Sequence, residues 1–258
     1  ISDTDFNQFR QLMRRIAGVE LPSTKKQMVS GRLNRRLRAC GLASFGDYYR
    51  LVNSGQQPDE LERVVDLLTT HETYFFREPR HFEVLSQAVL PTLPRGGPLR
   101  FWSAASSTGE EAYTLAMVLS DQIGDKARWE ILGSDISLEV LERARKGVYS
   151  MNRIDGIPRD YLRRFCLRGV GESAGNLMIA PEVRQRVRFD RINLSSDLSS
   201  VGFFDVVFLR NVLIYFDTAG KREIVSRIAR QMRPGSWLFI GHSETLTGMD
   251  LPFNQEMP

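Results

Sequence analysis

Cysteine and histidine are nearly absent: two of the first and three of the second in 258 residues. Cys40 and Cys166 form no metal-ligand or redox pair by spacing, and the histidines at 71, 81 and 242 share no ligand spacing. That scarcity excludes a disulfide-built scaffold and makes a reducing, cytoplasmic setting the expectation. The two cysteines read as small buried residues, and His81 and His242 as structural. No apolar run approaches the roughly 18 residues needed to cross a bilayer. The opening ISDTDFNQF lacks the pattern of a secretory leader, so no membrane insertion is expected. Internal repeats, low-complexity tracts and any Ser-His-Asp or Cys-His grouping are missing as well.

Glycine is scarce in one telling place. LRFWSAASSTGEEAYTLAMVL, Leu99 to Leu119, reads as a strand, a small-residue turn and a helix. A nucleotide loop in that setting usually carries several glycines, so that backbone can approach phosphates. Here Gly109 stands alone, followed by Glu110 and Glu111. Two carboxylates at a helix start suit the helix dipole but would repel a pyrophosphate.

Acidic residues are missing from a second stretch. TKKQMVSGRLNRRLRACG carries Lys25, Lys26, Arg32, Arg35, Arg36 and Arg38 with no acid among them, although the whole chain has a net charge of only +4. Val29, Leu33 and Leu37 recur every four residues, so the segment reads as an amphipathic helix with a cationic face, ended near Gly41. Such a face either docks an acidic partner or is simply solvated. Phe6, Phe9, Met13 and Ile16 mark a helix before it; SFGDYYRLVNSG and PDELERVVDLL mark two after it. Together they predict a helical domain over residues 1–70.

Residues 71–98 read as a connector with a helix from about Pro79, ended by a Pro/Gly cluster. From residue 99 to 258, nearly all-apolar strands alternate with amphipathic helices, which predicts a doubly wound, Rossmann-like α/β sheet. Glycines at 169, 171 and 175 between short β-prone runs predict an antiparallel hairpin insert at about 165–190.

In such a sheet the ligand lies at the carboxyl ends of the strands. Converging there are the Ser103–Glu111 loop; Asp135, placed 26 residues after Gly109; Asn193 and Leu194 of RINL; and Arg210, Asn211 and Tyr215 of LRNVLIYF. An acid at the position of Asp135 suits ribose hydroxyls. With an acidic, glycine-poor first loop it favours a nucleoside carrying positive charge, and S-adenosylmethionine fits. Taken singly, these residues have plainer readings. Glu110 and Glu111 are first-turn acids, Asp135 a helix-capping acid, Arg77 an ion-pair partner of Glu72 or Glu78, and Tyr215 a core residue.

TTHETYFFRE, SAASSTGEEAY, SDIS, RNVLIYF and GHSE, in that order, resemble the chemotaxis receptor methyltransferases (CheR-type), and the resemblance covers nearly the whole chain. It implies methyl transfer from S-adenosylmethionine to receptor glutamates, giving γ-glutamyl methyl esters and leaving S-adenosylhomocysteine. Carried over by position, cofactor contacts fall on His71, Thr73, Arg77, Glu111, Asp135, Asn193, Leu194, Arg210 and Asn211. Tyr215 matches the tyrosine near the transferred methyl, and Arg77 and Tyr215 take orienting, electrostatic roles. His71 stands where the family often has Asn, and Ala112 where it often has Pro; family members also continue past DLPFNQEMP into a last strand. The cationic helix would dock the methylation helices of chemoreceptors, and the insert would hold a receptor's C-terminal tether. Competing readings are an RNA, DNA or other protein methyltransferase, or a non-catalytic scaffold. The absence of an Asn/Asp-Pro-Pro-aromatic tetrapeptide and of a Pro-Cys nucleophile counts against base methylation, so no nucleic-acid partner is expected.

Overall fold

A computed structural model describes residues 1–94, 96–124 and 127–256. Ser2 opens α1 (Asp3–Ala17) through a capping box: its hydroxyl accepts the Asp5 N–H at 3.0 Å and donates to the Asp5 carboxylate at 2.6 Å. The predicted apolar stripe of α2 (Lys26–Ala39) is buried at Val29, Leu33 and Leu37. Helices α3 (Phe45–Asn53) and α4 (Pro58–Leu68) complete the helical part, with Pro58 in the first turn of α4. The connector begins its helix one residue after Pro79, as α5 (Arg80–Val84).

The rest alternates as the apolar runs predict: β1 (Leu99–Ser103), α6 (Glu110–Gln122), β2 (Trp129–Asp135) and α7 (Leu138–Lys146) come first. Then come β3 (Val148–Ser150), α8 (Arg159–Phe165), β4 (Cys166–Arg168), β5 (Asn176–Ile179), α9 (Pro181–Arg184) and β6 (Val187–Arg191). The last elements are β7 (Phe204–Leu209), α10 (Thr218–Ala229) and β8 (Met232–Ile240). Five strands form one parallel sheet in the order β6-β2-β1-β7-β8. Ser103 lies level with Gly133 and Phe208, and Asp135 with Arg191, so the loops after these strands leave one edge together.

Successive residues of the central strands face opposite layers. Phe101, Ile131, Val206 and Phe208 join a core with Leu115 and Leu119 of α6. Trp102, Leu132, Val207 and Leu209 join the other, which runs on without a break through Ile224 and Ile228 into Phe9, Leu33 and Val64 of the helical part. The helical part therefore shares its core with one sheet face.

Two sequence expectations need correction. The antiparallel insert is a three-stranded sheet, β3-β5-β4, so it begins at Val148, and β6 belongs to the main sheet beside β2. β6 is an edge strand with partly exposed residues flanking Phe189, and that alternation mimics an antiparallel hairpin. Cys40 and Cys166 are half-buried, and Cys40 Sγ lies 3.6 Å from a Glu60 carboxylate oxygen, a polar surrounding.

Candidate active site

The carboxyl edge of the sheet carries a cleft of about 360 Å³. Its walls come from the loops after β1, β2, β6 and β7, the connector around residues 68–77, and the α1–α2 linker. All of His71, Thr73, Arg77, Glu111, Asp135, Asn193, Leu194, Arg210, Asn211 and Tyr215 line it. These positions are far apart in sequence: the parallel register brings the strand-end residues together, and the connector brings His71, Thr73 and Arg77 to them.

Gly109 shapes the floor. It caps α6 with a φ of 96°, and a Cβ there would lie 2.9 Å from Ala144 and 3.0 Å from the Tyr149 hydroxyl. The lone glycine thus serves a tight turn under the cleft. It also splits the two glutamates. Glu110 is fully buried and turned away, bonded by the Thr108 hydroxyl at 2.6 Å and paired with Arg153 at 2.8 Å. Glu111 faces the cleft, accepting from Ser103 Oγ at 2.6 Å and Arg210 Nη1 at 2.8 Å.

Arg210 is the hub. Its side chain is only 1% exposed, stacked against Phe82 and Phe208, and its Nη2 reaches the Arg77 carbonyl at 2.5 Å and Glu78 at 3.1 Å. Two carboxylates thus share one guanidinium. Burial pushes the Glu111 carboxyl above the ordinary range despite the opposing pull of Arg210. Burial also acts on Glu78, but bonds from Asn211 and Arg210 outweigh it and hold Glu78 below that range. Glu78 was not singled out by sequence reasoning. Its φ of 56° and its bonds to Arg210, Asn211 Nδ2 (3.1 Å) and the His242 N–H (3.1 Å) mark it as a central brace.

At the end of β2, Asp135 accepts the Ser107 N–H at 3.0 Å and the Ser137 N–H at 3.1 Å, so it also steadies the start of α7. Burial raises its pKa, with His71 and these N–H groups opposing. His71 Nδ1 lies 3.8 Å from Asp135, and its Nε2 lies 2.7 Å from Thr69 Oγ1. The Thr73 carbonyl accepts from Arg153 Nη2 at 3.0 Å. Arg77 donates to the Glu72 carbonyl at 2.9 Å and lies 5.7 Å from the Tyr74 ring centroid, pairing with neither candidate carboxylate among the described residues. Asn193 donates its amide to the Ile16 carbonyl at 2.6 Å, and both it and Leu194 line the cleft. Tyr215 sits in a short 3-10 turn, and its carbonyl accepts the Glu20 N–H at 2.8 Å.

The six basic residues of the N-terminal segment divide. Lys26 pairs with Asp3 at 2.6 Å, and Arg32 donates to the Leu67 and Thr69 carbonyls at 2.9 and 2.7 Å. Arg36 grips the buried Glu60, its Nε 2.9 and 3.1 Å from the two oxygens. Lys25, Arg35 and Arg38 remain exposed and free of ion pairs among the described residues, and Lys25 stands on the cleft wall.

Burial raises the carboxyl groups of Glu111 and Asp135, so each is costly to ionise until a cation stands beside it. Small residues Ala104 and Ala105 beside them leave room for a ligand to approach. Two largely buried acids at the strand ends and a first loop with a single glycine suit a cationic nucleoside better than a polyphosphate.

Comparison with known proteins agrees. Residues 71–257 match the family described as CheR methyltransferase, SAM binding domain, and residues 4–69 match CheR methyltransferase, all-alpha domain. The chain is 40% identical to the chemotaxis protein methyltransferase of Escherichia coli (strain K12), over 98% of this chain and 88% of that one. It is 42% identical to chemotaxis protein methyltransferase 2 of Pseudomonas aeruginosa, over 93% and 86%. Against the chemotaxis protein methyltransferase of Salmonella typhimurium the identity is 39%, over 98% and 88%. An acid-rich cleft at the strand ends and family matches across both halves lead to one conclusion: the chain belongs to the CheR methyltransferase family, and its cofactor is S-adenosylmethionine.

Proposed function

We propose that this chain methylates glutamate side chains on the cytoplasmic helices of chemoreceptors, giving γ-glutamyl methyl esters that serve chemotactic adaptation. The observation that carries this reading is the pairing of an acid-lined cleft with Lys25 exposed on its wall and Arg35 and Arg38 exposed further along α2. The first suits a cationic methyl donor, the second an acidic acceptor. That its relatives are chemotaxis protein methyltransferases supports the choice of receptors as substrate.

S-adenosylmethionine supplies an electrophilic methyl on its sulfonium. Asp135 would take ribose hydroxyls, with His71 and Thr73 beside it. Glu111 and the Arg210–Glu78 pair would compensate the cationic end, and Asn193, Leu194 and Asn211 would close the wall. A glutamate acceptor with a pKa near 4.3 is already ionised at neutral pH, so no general base is required. The remaining work is alignment and exclusion of water. Arg77 and Tyr215, both lining the cleft, would orient the acceptor carboxylate. The β3-β5-β4 sheet, with Leu167 and Val170 exposed, would hold a receptor's C-terminal tether, recruiting the enzyme to membrane-bound receptor arrays.

The reading is tested by incubating the chain with S-adenosylmethionine and receptor cytoplasmic fragments, then mapping the methylated peptide by mass spectrometry. Methyl groups on glutamate side chains support it. Methyl groups on lysine, arginine or added RNA, or none at all, overturn it.

A further inference from the structure

GHSE belongs to the sequence signature, yet none of its side chains lines the cleft. Its glutamate works one layer behind. After β7 the chain turns at Asn211, whose φ of 57° puts a non-glycine residue in the left-handed region. Asn tolerates that region better than other side chains, and three hydrogen bonds fix it there. Here the Asn211 N–H donates to Glu244 Oε2 at 2.8 Å, and the Leu213 N–H donates to Oε1 at 2.7 Å. From the end of β8, the Gly241 N–H adds a third bond to Oε2, at 2.7 Å. The two loops also touch where this carboxylate bridges them: a Cβ on Gly241 would lie 2.6 Å from Asn211 Nδ2.

We infer that Glu244 is a positioning residue for methyl transfer, its carboxylate clamping the post-β7 loop so that Asn211 and the turn bearing Tyr215 keep their places in the cleft. Asn211 is held directly. Tyr215 is held through Leu213, the first residue of its 3-10 turn. The chemistry of the clamp is specific, because all three partners are N–H donors reaching both ends of one side chain. Only a carboxylate offers acceptors at both ends. A glutamine of the same shape must turn its NH2 toward a donor at one end, and so loses at least one bond and gains a clash of hydrogens. Glu78 does not duplicate this role, since its bonds go to side chains and to the His242 N–H.

The inference rests on the methyltransferase reading above, and its test separates the two. Glu244→Gln is compared with the unmodified full chain for cofactor affinity by calorimetry and for turnover per cofactor-binding site on receptor fragments. Losing charge-assisted bonds should weaken cofactor binding and lower kcat per site by about tenfold or more each, with KM for the fragment within about twofold. A general stability defect would instead lower the number of binding sites and leave each remaining site normal. Affinity and per-site turnover equal to the unmodified chain would overturn the inference. A second measurement needs no variant: amide hydrogen exchange in the unmodified chain. The Asn211 and Leu213 amides should exchange about a hundredfold or more slowly relative to an open loop, and open-loop rates would overturn the clamp. If the unmodified chain methylates no receptor fragment, the substrate assignment fails, while the affinity and exchange results still decide Glu244.

Discussion

Arg210 holds two carboxylates and lies over two aromatic rings, yet the acids around it still outnumber it. On the proposed reading that imbalance receives the cofactor's cationic end, and it predicts a pH dependence. Burial lifts the Asp135 and Glu111 carboxyl groups, so each takes up a proton at a higher pH than an ordinary carboxylate. A cationic ligand prefers the ionised forms. Cofactor affinity should therefore rise with pH through this raised range, and fall as pH drops toward the usual carboxylate value of about 4. Calorimetry in buffers of different ionisation enthalpy should show proton release on binding near the lower end. A flat affinity with no proton release would contradict it. Asp135→Ala should weaken cofactor binding by about tenfold or more, since a bond to a charged group is worth about 1.5–3 kcal/mol. Unchanged affinity would remove Asp135 from the site.

At the scale of elements, α2 shows what a one-dimensional pattern reveals and what it hides. The Val29, Leu33 and Leu37 stripe was legible because helical periodicity is local. The division of its cations was not, because Glu60 lies 24 residues from Arg36 and meets it only through helix packing. Removing Arg36 takes the bidentate partner from the buried Glu60 and leaves it Arg63 at 3.6 Å and the Tyr48 hydroxyl at 3.1 Å, so Arg36→Ala should cost about 2 kcal/mol in urea unfolding, where Arg35→Ala should change stability by less than about 0.5 kcal/mol. Reversing the charge at Arg35 and Arg38 together should raise KM for receptor fragments about tenfold or more while sparing cofactor affinity, as loss of steering and docking charges does. Equal stability losses at Arg35 and Arg36, or unchanged KM, would contradict this division of roles. β6 was misplaced for a related reason: an edge strand of a parallel sheet shows the same one-sided alternation as a hairpin strand.

The whole molecule works as one body because the helical part closes the cleft. Asn193 donates to Ile16 and Ser195 to Ala17 (3.0 Å), filling the open carbonyls at the end of α1, while Arg14 pairs with Asp217 at 3.1 Å. These ties join residues up to 203 positions apart, so no reading of periodicity or spacing exposes them. The sheet, the helical part and the acid-rich loop were legible from local pattern. The shared core, Glu78, Glu244 and the clasp on α1 depended on tertiary contact. The arrangement sets Lys25 on the wall of the cofactor cleft, and on the proposed reading the product is a carboxyl ester. The most direct test is to incubate receptor fragments with methyl-labelled S-adenosylmethionine and this chain, then treat the product with alkali. The label should be released as methanol; label that stays on the protein would contradict a carboxyl ester.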